Sequence, residues 1–191
     1  MKTITKKTEK SLINEFIEAL KKDVLRKKKK NERFSLVLTG GKSPINLYRK
    51  LAKYKIDWSN IDLFWGDERF VSQKSKNSNY KLAYDTFIKK ITINKKNIFP
   101  VNTRMKSASK SSENYSNLIK NYFKHKPISF DCFILGMGSD GHVASIFPNS
   151  VELQKKFIVQ SVNRKDFMRI TLSLNIINNS KKTILWLNNK F

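Results

Sequence analysis

A chain of 191 residues with 39% apolar and 12% aromatic side chains can bury one substantial core, and it is too short for two comfortably independent domains. Its 39 basic and 15 acidic residues leave a formal charge of +24, which by itself points to nucleic acid, a membrane surface or an anionic small substrate. The single cysteine, Cys132, excludes a disulfide framework and reads as a small buried side chain in a reducing compartment.

The first ten residues carry no apolar leader and no later run is long enough to cross a bilayer, so a soluble cytoplasmic protein without a membrane partner is expected. Leu12, Ile13, Phe16, Ile17, Leu20 and Val24 recur at helical spacing, which predicts an amphipathic helix over residues 8–29. The lysine-rich outer face of that helix ends in the run of basic residues 26–30. Elsewhere the lysines are scattered, which favours a solvated basic surface; the run keeps nonspecific polyanion binding open.

The period then changes. Residues 34–39 form a short, nearly continuous apolar run, as in a strand buried on both faces, and it opens into Gly40-Gly41. Pro44 suits the first position of a helix that Leu47, Tyr48 and Leu51 continue. A second strand over residues 61–65 is followed by the exit loop Gly66-Asp67-Glu68-Arg69 and by a helix whose inner stripe is Tyr80, Ala83, Tyr84, Phe87 and Ile88. After a short run at 97–101 come a helix on Tyr115, Leu118, Ile119, Tyr122 and Phe123 and a strand at 130–135. Further strand candidates lie at 157–162, 169–174 and 183–187. Strands and helices that alternate in this way predict an α/β fold: a three-layer, Rossmann-like, open and mostly parallel sheet with helices on both faces.

In such sheets the ligand crevice lies outside the carboxyl ends of the strands, so three loops stand out. Gly40, Gly41, Lys42 and Ser43 have the parts of an anion cradle, although an ordinary strand-to-helix turn is built from the same residues and the spacing of a nucleotide-binding P-loop is lacking. Asp67, Glu68 and Arg69 would on their own read as a salt-bridged surface turn. The third loop, Gly136 to Pro148, contains a G-x-G-x-x-G match. A dinucleotide site also needs a full crossover helix and a later acidic residue, whereas Pro148 interrupts the helix and Val162 is followed by Asn163-Arg164-Lys165. The glycines instead expose Asp140 and His142. A histidine there suits a general base, since this side chain titrates near neutrality; capping a short helix is an equally open role. His125 reads as plain surface.

Taken together, the motifs resemble the 6-phosphogluconolactonase family, within the superfamily that includes glucosamine-6-phosphate deaminase. Leu38-Thr39-Gly40-Gly41-Lys42-Ser43-Pro44 resembles the family's L-S-G-G-S-T-P. The stretch from Trp65 to Val71 resembles its W/F-G-D-E-R-x-V, and Ser78-Asn79-Tyr80 its S-N-Y. The stretch from Leu135 to Pro148 is similar to L-G-M-G-x-D-G-H-x-A-S-L-F-P almost throughout, and the stretch starting at Arg169 to R-I-T-L-T. The resemblance runs from about residue 34 to residue 187. It implies hydrolysis of 6-phosphoglucono-δ-lactone in the pentose phosphate pathway, with a small sugar-phosphate lactone as partner and neither metal nor organic cofactor.

By the same resemblance His142 is the general base, Asp67 and Asp140 orient the histidine and water or bind sugar hydroxyls, and Arg69 or loop N–H groups stabilise the carbonyl oxygen. The phosphate falls to Gly40, Gly41, Lys42, Ser43, Arg169 and Lys190. The deaminase branch has a carboxylate where this chain has Phe147, which favours the lactonase; a related sugar-phosphate isomerase is the weaker alternative. Lys42 departs from the family's serine and adds a charge. The family also continues through a Gly-x-x-Lys turn and a closing helix, so residues 1–191 read as one domain shortened at its C-terminus. A noncatalytic polyanion-binding protein on the same fold is the alternative of another class. Oligomeric state, a homo-oligomer included, is left open.

Overall fold

The computed structural model describes residues 6–124, 126–150, 153 and 157–187; His125 and Lys190 lie outside the described residues. Helix α1 spans Glu9–Lys29 and buries Ile13, Phe16, Ile17, Leu20 and Val24. Thr8 precedes it as N-cap, its hydroxyl accepting the Ser11 N–H at 3.2 Å. Glu9 in the first turn and Arg26, Lys27, Lys28 and Lys29 in the last complement the helix dipole.

Five strands form one parallel sheet: β1 Phe34–Leu38, β2 Ile61–Trp65, β4 Ile98–Phe99, β5 Cys132–Leu135 and β8 Thr183–Leu185, in the order β4-β2-β1-β5-β8. Every residue of β1 and β2 is buried, and alternate residues of a strand face opposite sides, so both faces are covered. Burying a side chain such as Leu36 or Leu63 completely contributes about 1.5–3 kcal/mol. Cys132 lies in this core, where burial pushes its thiol up to about 12.

Helices α2 Ile45–Leu51, α3 Asn79–Thr86 and α4 Ala108–Tyr122 make the crossovers. Pro44 is the residue before α2 rather than its first turn, and α3 stops at Thr86, after which Ile88–Lys90 forms a single 3₁₀ turn. The chain runs from β1 outward through β2 to β4, then crosses back to place β5 on the other side of β1. The reversal between β1 and β5 is the topological switch point, where an open α/β sheet gathers ligands.

Two expectations are corrected. Residues 66–69 are not a free exit loop: Asp67–Arg69 form strand β3. The strand candidates near 157–162 and 169–174 become β6 Val159–Asn163 and β7 Met168–Leu172, and they join β3 in a separate antiparallel sheet of order β3-β7-β6 against α4. Ser173 then caps a short helix, α5 Leu174–Asn178. Hydrophobic runs mark strands, but partner and direction come from hydrogen bonds such as Leu172 N–H to Gly66 C=O, at 2.8 Å.

Candidate active site

The site begins with how the strand ends are held. The Tyr48 hydroxyl, from α2, donates to the Thr39 carbonyl at 2.6 Å and accepts the Thr39 N–H at 3.0 Å. The Tyr115 hydroxyl, from α4, treats Trp65 the same way, accepting its N–H at 2.9 Å and donating to its carbonyl at 3.2 Å. Each satisfies the last backbone groups of a parallel strand where the ladder stops. Burial raises both phenols, so they stay protonated donors.

Side chains then tie the three loops together. Thr39 Oγ1 accepts the Gly136 N–H at 3.3 Å across the switch point, joining the first loop to the third. Buried Asp67 accepts from the Ser145 hydroxyl at 2.8 Å and from the Asn79 amide at 3.1 Å, which joins the second loop to the third and to α3. Ser145 N–H donates to Thr171 Oγ1 at 3.3 Å, adding β7. Gly40 lies against the Asn79 amide so closely that a Cβ there would overlap it, which is why the first loop needs glycine at this point.

Glu68 is buried under the start of α3. Its carboxylate accepts the N–H groups of Arg69, Asn79 and Tyr80 at 2.8, 2.7 and 2.8 Å and the Ser78 hydroxyl at 3.0 Å. Burial pushes this carboxyl up to about 7, against the lowering effect of the three backbone donors. Because the folded value lies above the ordinary 4.5, the contribution to stability is complete below pH 4.5 and is lost as the pH rises through about 7. In urea titrations the stability of the wild type relative to Glu68→Gln is expected to fall by up to about 3 kcal/mol from the acid side of this window to pH 8. A flat difference would show that the donors cancel the effect of burial.

The third loop is a chain of tight turns. Gly141 and Ala144 take φ values of 81° and 51°, and Gly138 N–H donates to His142 C=O at 2.9 Å. No helix starts near Gly141, so the helix-capping role for His142 is corrected: it has nothing to cap. The His142 side chain is 27% exposed, and its Nδ1 lies 2.5 Å from Asp140 Oδ1. The hydrogen bond to His142 lowers the Asp140 carboxyl below its usual range and keeps it ionised. In a neutral imidazole, a carboxylate acceptor at Nδ1 favours the tautomer protonated there, with the lone pair on Nε2.

Opposite this loop, Arg69 and Arg169 are register partners in the β3–β7 ladder and so project from the same face. Arg69 Nη1 donates to Asn77 C=O at 2.9 Å, Arg169 Nη2 pairs with Asp166, and the buried Nε of each has no hydrogen-bond partner. Of these two cations only Arg169 has a carboxylate partner, which suits the pair to an anionic ligand. Lys42 is exposed and Ser43 half-buried in the first loop.

The expected residues are therefore placed as follows. Asp140 contacts His142. Asp67, expected to orient the histidine and water or to bind sugar hydroxyls, bonds to Ser145 and Asn79 and not to His142. The sequence assigns no site role to Tyr48, Thr39, Asn79, Ser145, Thr171 and Tyr115; Thr39, Asn79, Ser145 and Thr171 stand in the quoted motifs, which is the signal for them. Two cavities, of about 460 and 380 Å³, lie around Ser59 and Thr92 towards the opposite ends of the strands and include no rim residue. Among the described residues, no group of three or more histidine, cysteine, aspartate or glutamate side chains is placed to hold a metal ion, and no helix is long and apolar enough to cross a membrane.

A parallel sheet whose switch point joins Thr39 to Gly136, with a carboxylate-supported histidine in the loop beyond, makes this an α/β protein with the ligand-site layout of open sheets. The chain belongs to the glucosamine-6-phosphate isomerase/6-phosphogluconolactonase family, whose model matches residues 7–190. It is 35% identical over 160 residues to a 6-phosphogluconolactonase of Nostoc, covering 82% of this chain and 67% of that one. It is 36% identical over 164 residues to a probable chloroplastic 6-phosphogluconolactonase 4 of rice, covering 77% and 50%. The crystal structure of 6-phosphogluconolactonase from Thermotoga maritima superposes with a TM-score of 0.79 at 29% identity, over 91% of this chain and 78% of that one. The chain thus spans about half to two thirds of the length of these curated relatives.

Proposed function

We propose that the protein hydrolyses 6-phosphoglucono-δ-lactone to 6-phosphogluconate. The observation that carries this reading is the Asp140–His142 contact through Nδ1, with Phe147 packed between the imidazole and the Arg169 guanidinium. Water attacks the lactone carbonyl carbon while Nε2 takes its proton. The carbonyl electrons move to the oxygen, and as they return the bond to the ring oxygen breaks and that oxygen receives the proton from His142. The new carboxylic acid loses its own proton to solvent at neutral pH. The phosphate, carrying close to two negative charges, is taken by the Gly40, Gly41, Lys42, Ser43 loop and Arg169. Family relatives named 6-phosphogluconolactonase support the substrate.

Against a deaminase, Phe147 stands in a buried position beside the imidazole, with ring centroids 4.6 Å apart, and a phenyl group relays no protons. Against a polyanion-binding role, three of the basic residues in the run 26–30 already have carboxylate partners: Arg26 with Asp23, Lys27 with Glu32 and Asp131, and Lys28 with Asp57. The test is acid release from freshly prepared 6-phosphogluconolactone, measured against the spontaneous background. Equal rates with and without protein reject the reading, and ammonia release from glucosamine 6-phosphate would replace it with the deaminase.

A further inference from the structure

Resting on that reaction, we infer that Arg164 is a further catalytic residue, whose guanidinium holds the negative charge that develops on the lactone's exocyclic oxygen. Arg164 is an exposed residue in the turn between β6 and β7, yet its guanidinium carbon lies 3.7 Å over the centroid of the Phe147 ring. The same ring packs against the His142 imidazole. Phe147 thus packs against both the base and a cation, and the Arg169 guanidinium carbon lies further off, 5.8 Å from the same centroid. Stacking uses only the flat face of a guanidinium, and the N–H groups on its edge remain available to an oxyanion.

Several other candidates for this charge already have partners. Of the loop N–H groups nearest the imidazole, Gly138 donates to His142 C=O, Gly141 to Gly138 C=O, Val143 to Ile146 C=O and His142 to Asp140 Oδ1. Arg69 directs Nη1 to the Asn77 carbonyl at the foot of α3. Arg169 is paired with Asp166, the one carboxylate in the turn that carries Arg164. Among the described residues no carboxylate pairs with Arg164, so its charge is left uncompensated. An oxyanion forms during attack and disappears as the ring opens, so a donor aimed at it accelerates the step rather than tightening ground-state binding.

The experiment compares wild type, Arg164→Met and Arg164→Lys on 6-phosphogluconolactone and on unphosphorylated glucono-δ-lactone, with thermal unfolding as a check on folding. Arg164→Met, which keeps an apolar contact with Phe147, is expected to lower kcat about 10²-fold on both lactones, with the shape of the pH profile and the affinity for 6-phosphogluconate retained. Arg164→Lys is expected to recover part of the loss. A higher KM on the phosphorylated lactone alone would make Arg164 a phosphate ligand and overturn the inference. A displaced pH profile would mean that it acts through His142, and unchanged rates on both lactones would exclude any role; either result overturns the inference. A wild type inactive on the lactone would instead remove the underlying reaction, an outcome distinct from an active wild type with unaffected variants.

Discussion

His142→Ala is expected to lower kcat for lactone hydrolysis by about 10²–10⁴-fold, the usual contribution of a positioned general base. The imidazole is partly exposed and bonded to a surface carboxylate, so its removal opens no core cavity and the urea midpoint should stay near that of the wild type. Retention on a heparin column should not change, which separates catalysis from the general basicity of the surface. Residual activity equal to that of the wild type would remove His142 from the mechanism and leave the rim as a binding site.

Gly138→Ala is expected to cost about 10²-fold in the same assay while leaving the fold intact. A Cβ at this position would overlap the Cε1 and Nδ1 atoms of His142 and also meet Asp140 Oδ1. The atoms in the way are the ends of two side chains at the surface, so the protein relieves the overlap by swinging the imidazole aside. A displacement of about 1 Å at a catalytic group is enough for a loss of this size. Crystals or NMR spectra of the variant should show the Asp140–His142 bond broken and the backbone unmoved. Wild-type activity with the alanine in place would mean that the imidazole does not rest over Gly138 during turnover.

Much of this arrangement is legible in the sequence because it depends on local chemistry. The apolar runs of β1 and β2 and the glycines and histidine of the third loop identify themselves by composition and position. What sequence does not show is which distant groups meet. Asp67 looks like a surface acid beside Arg69, yet it is buried, with Ser145 lying 78 positions further along the chain. Glu68 looks like its twin and has a different task under α3. Residues 159–163 and 168–172 show strand character but not that their ladder is antiparallel and shared with β3, since a hydrophobic period carries no information about partners. Arg164 has no signal at all: in a chain with 39 lysines and arginines, a basic residue in a turn is unremarkable until a phenyl ring is found beneath it.

The tyrosine grips on Thr39 and Trp65 bear on how this chain tolerates its own peculiarities. The grips come from helices behind the sheet, so the roots of two loops are anchored by groups that take no part in the chemistry. On the proposed reading, Lys42 can therefore alter the charge presented to a phosphate without loosening the frame that presents it. The rim residues are in this sense fittings carried on a mount that Tyr48 and Tyr115 hold in place.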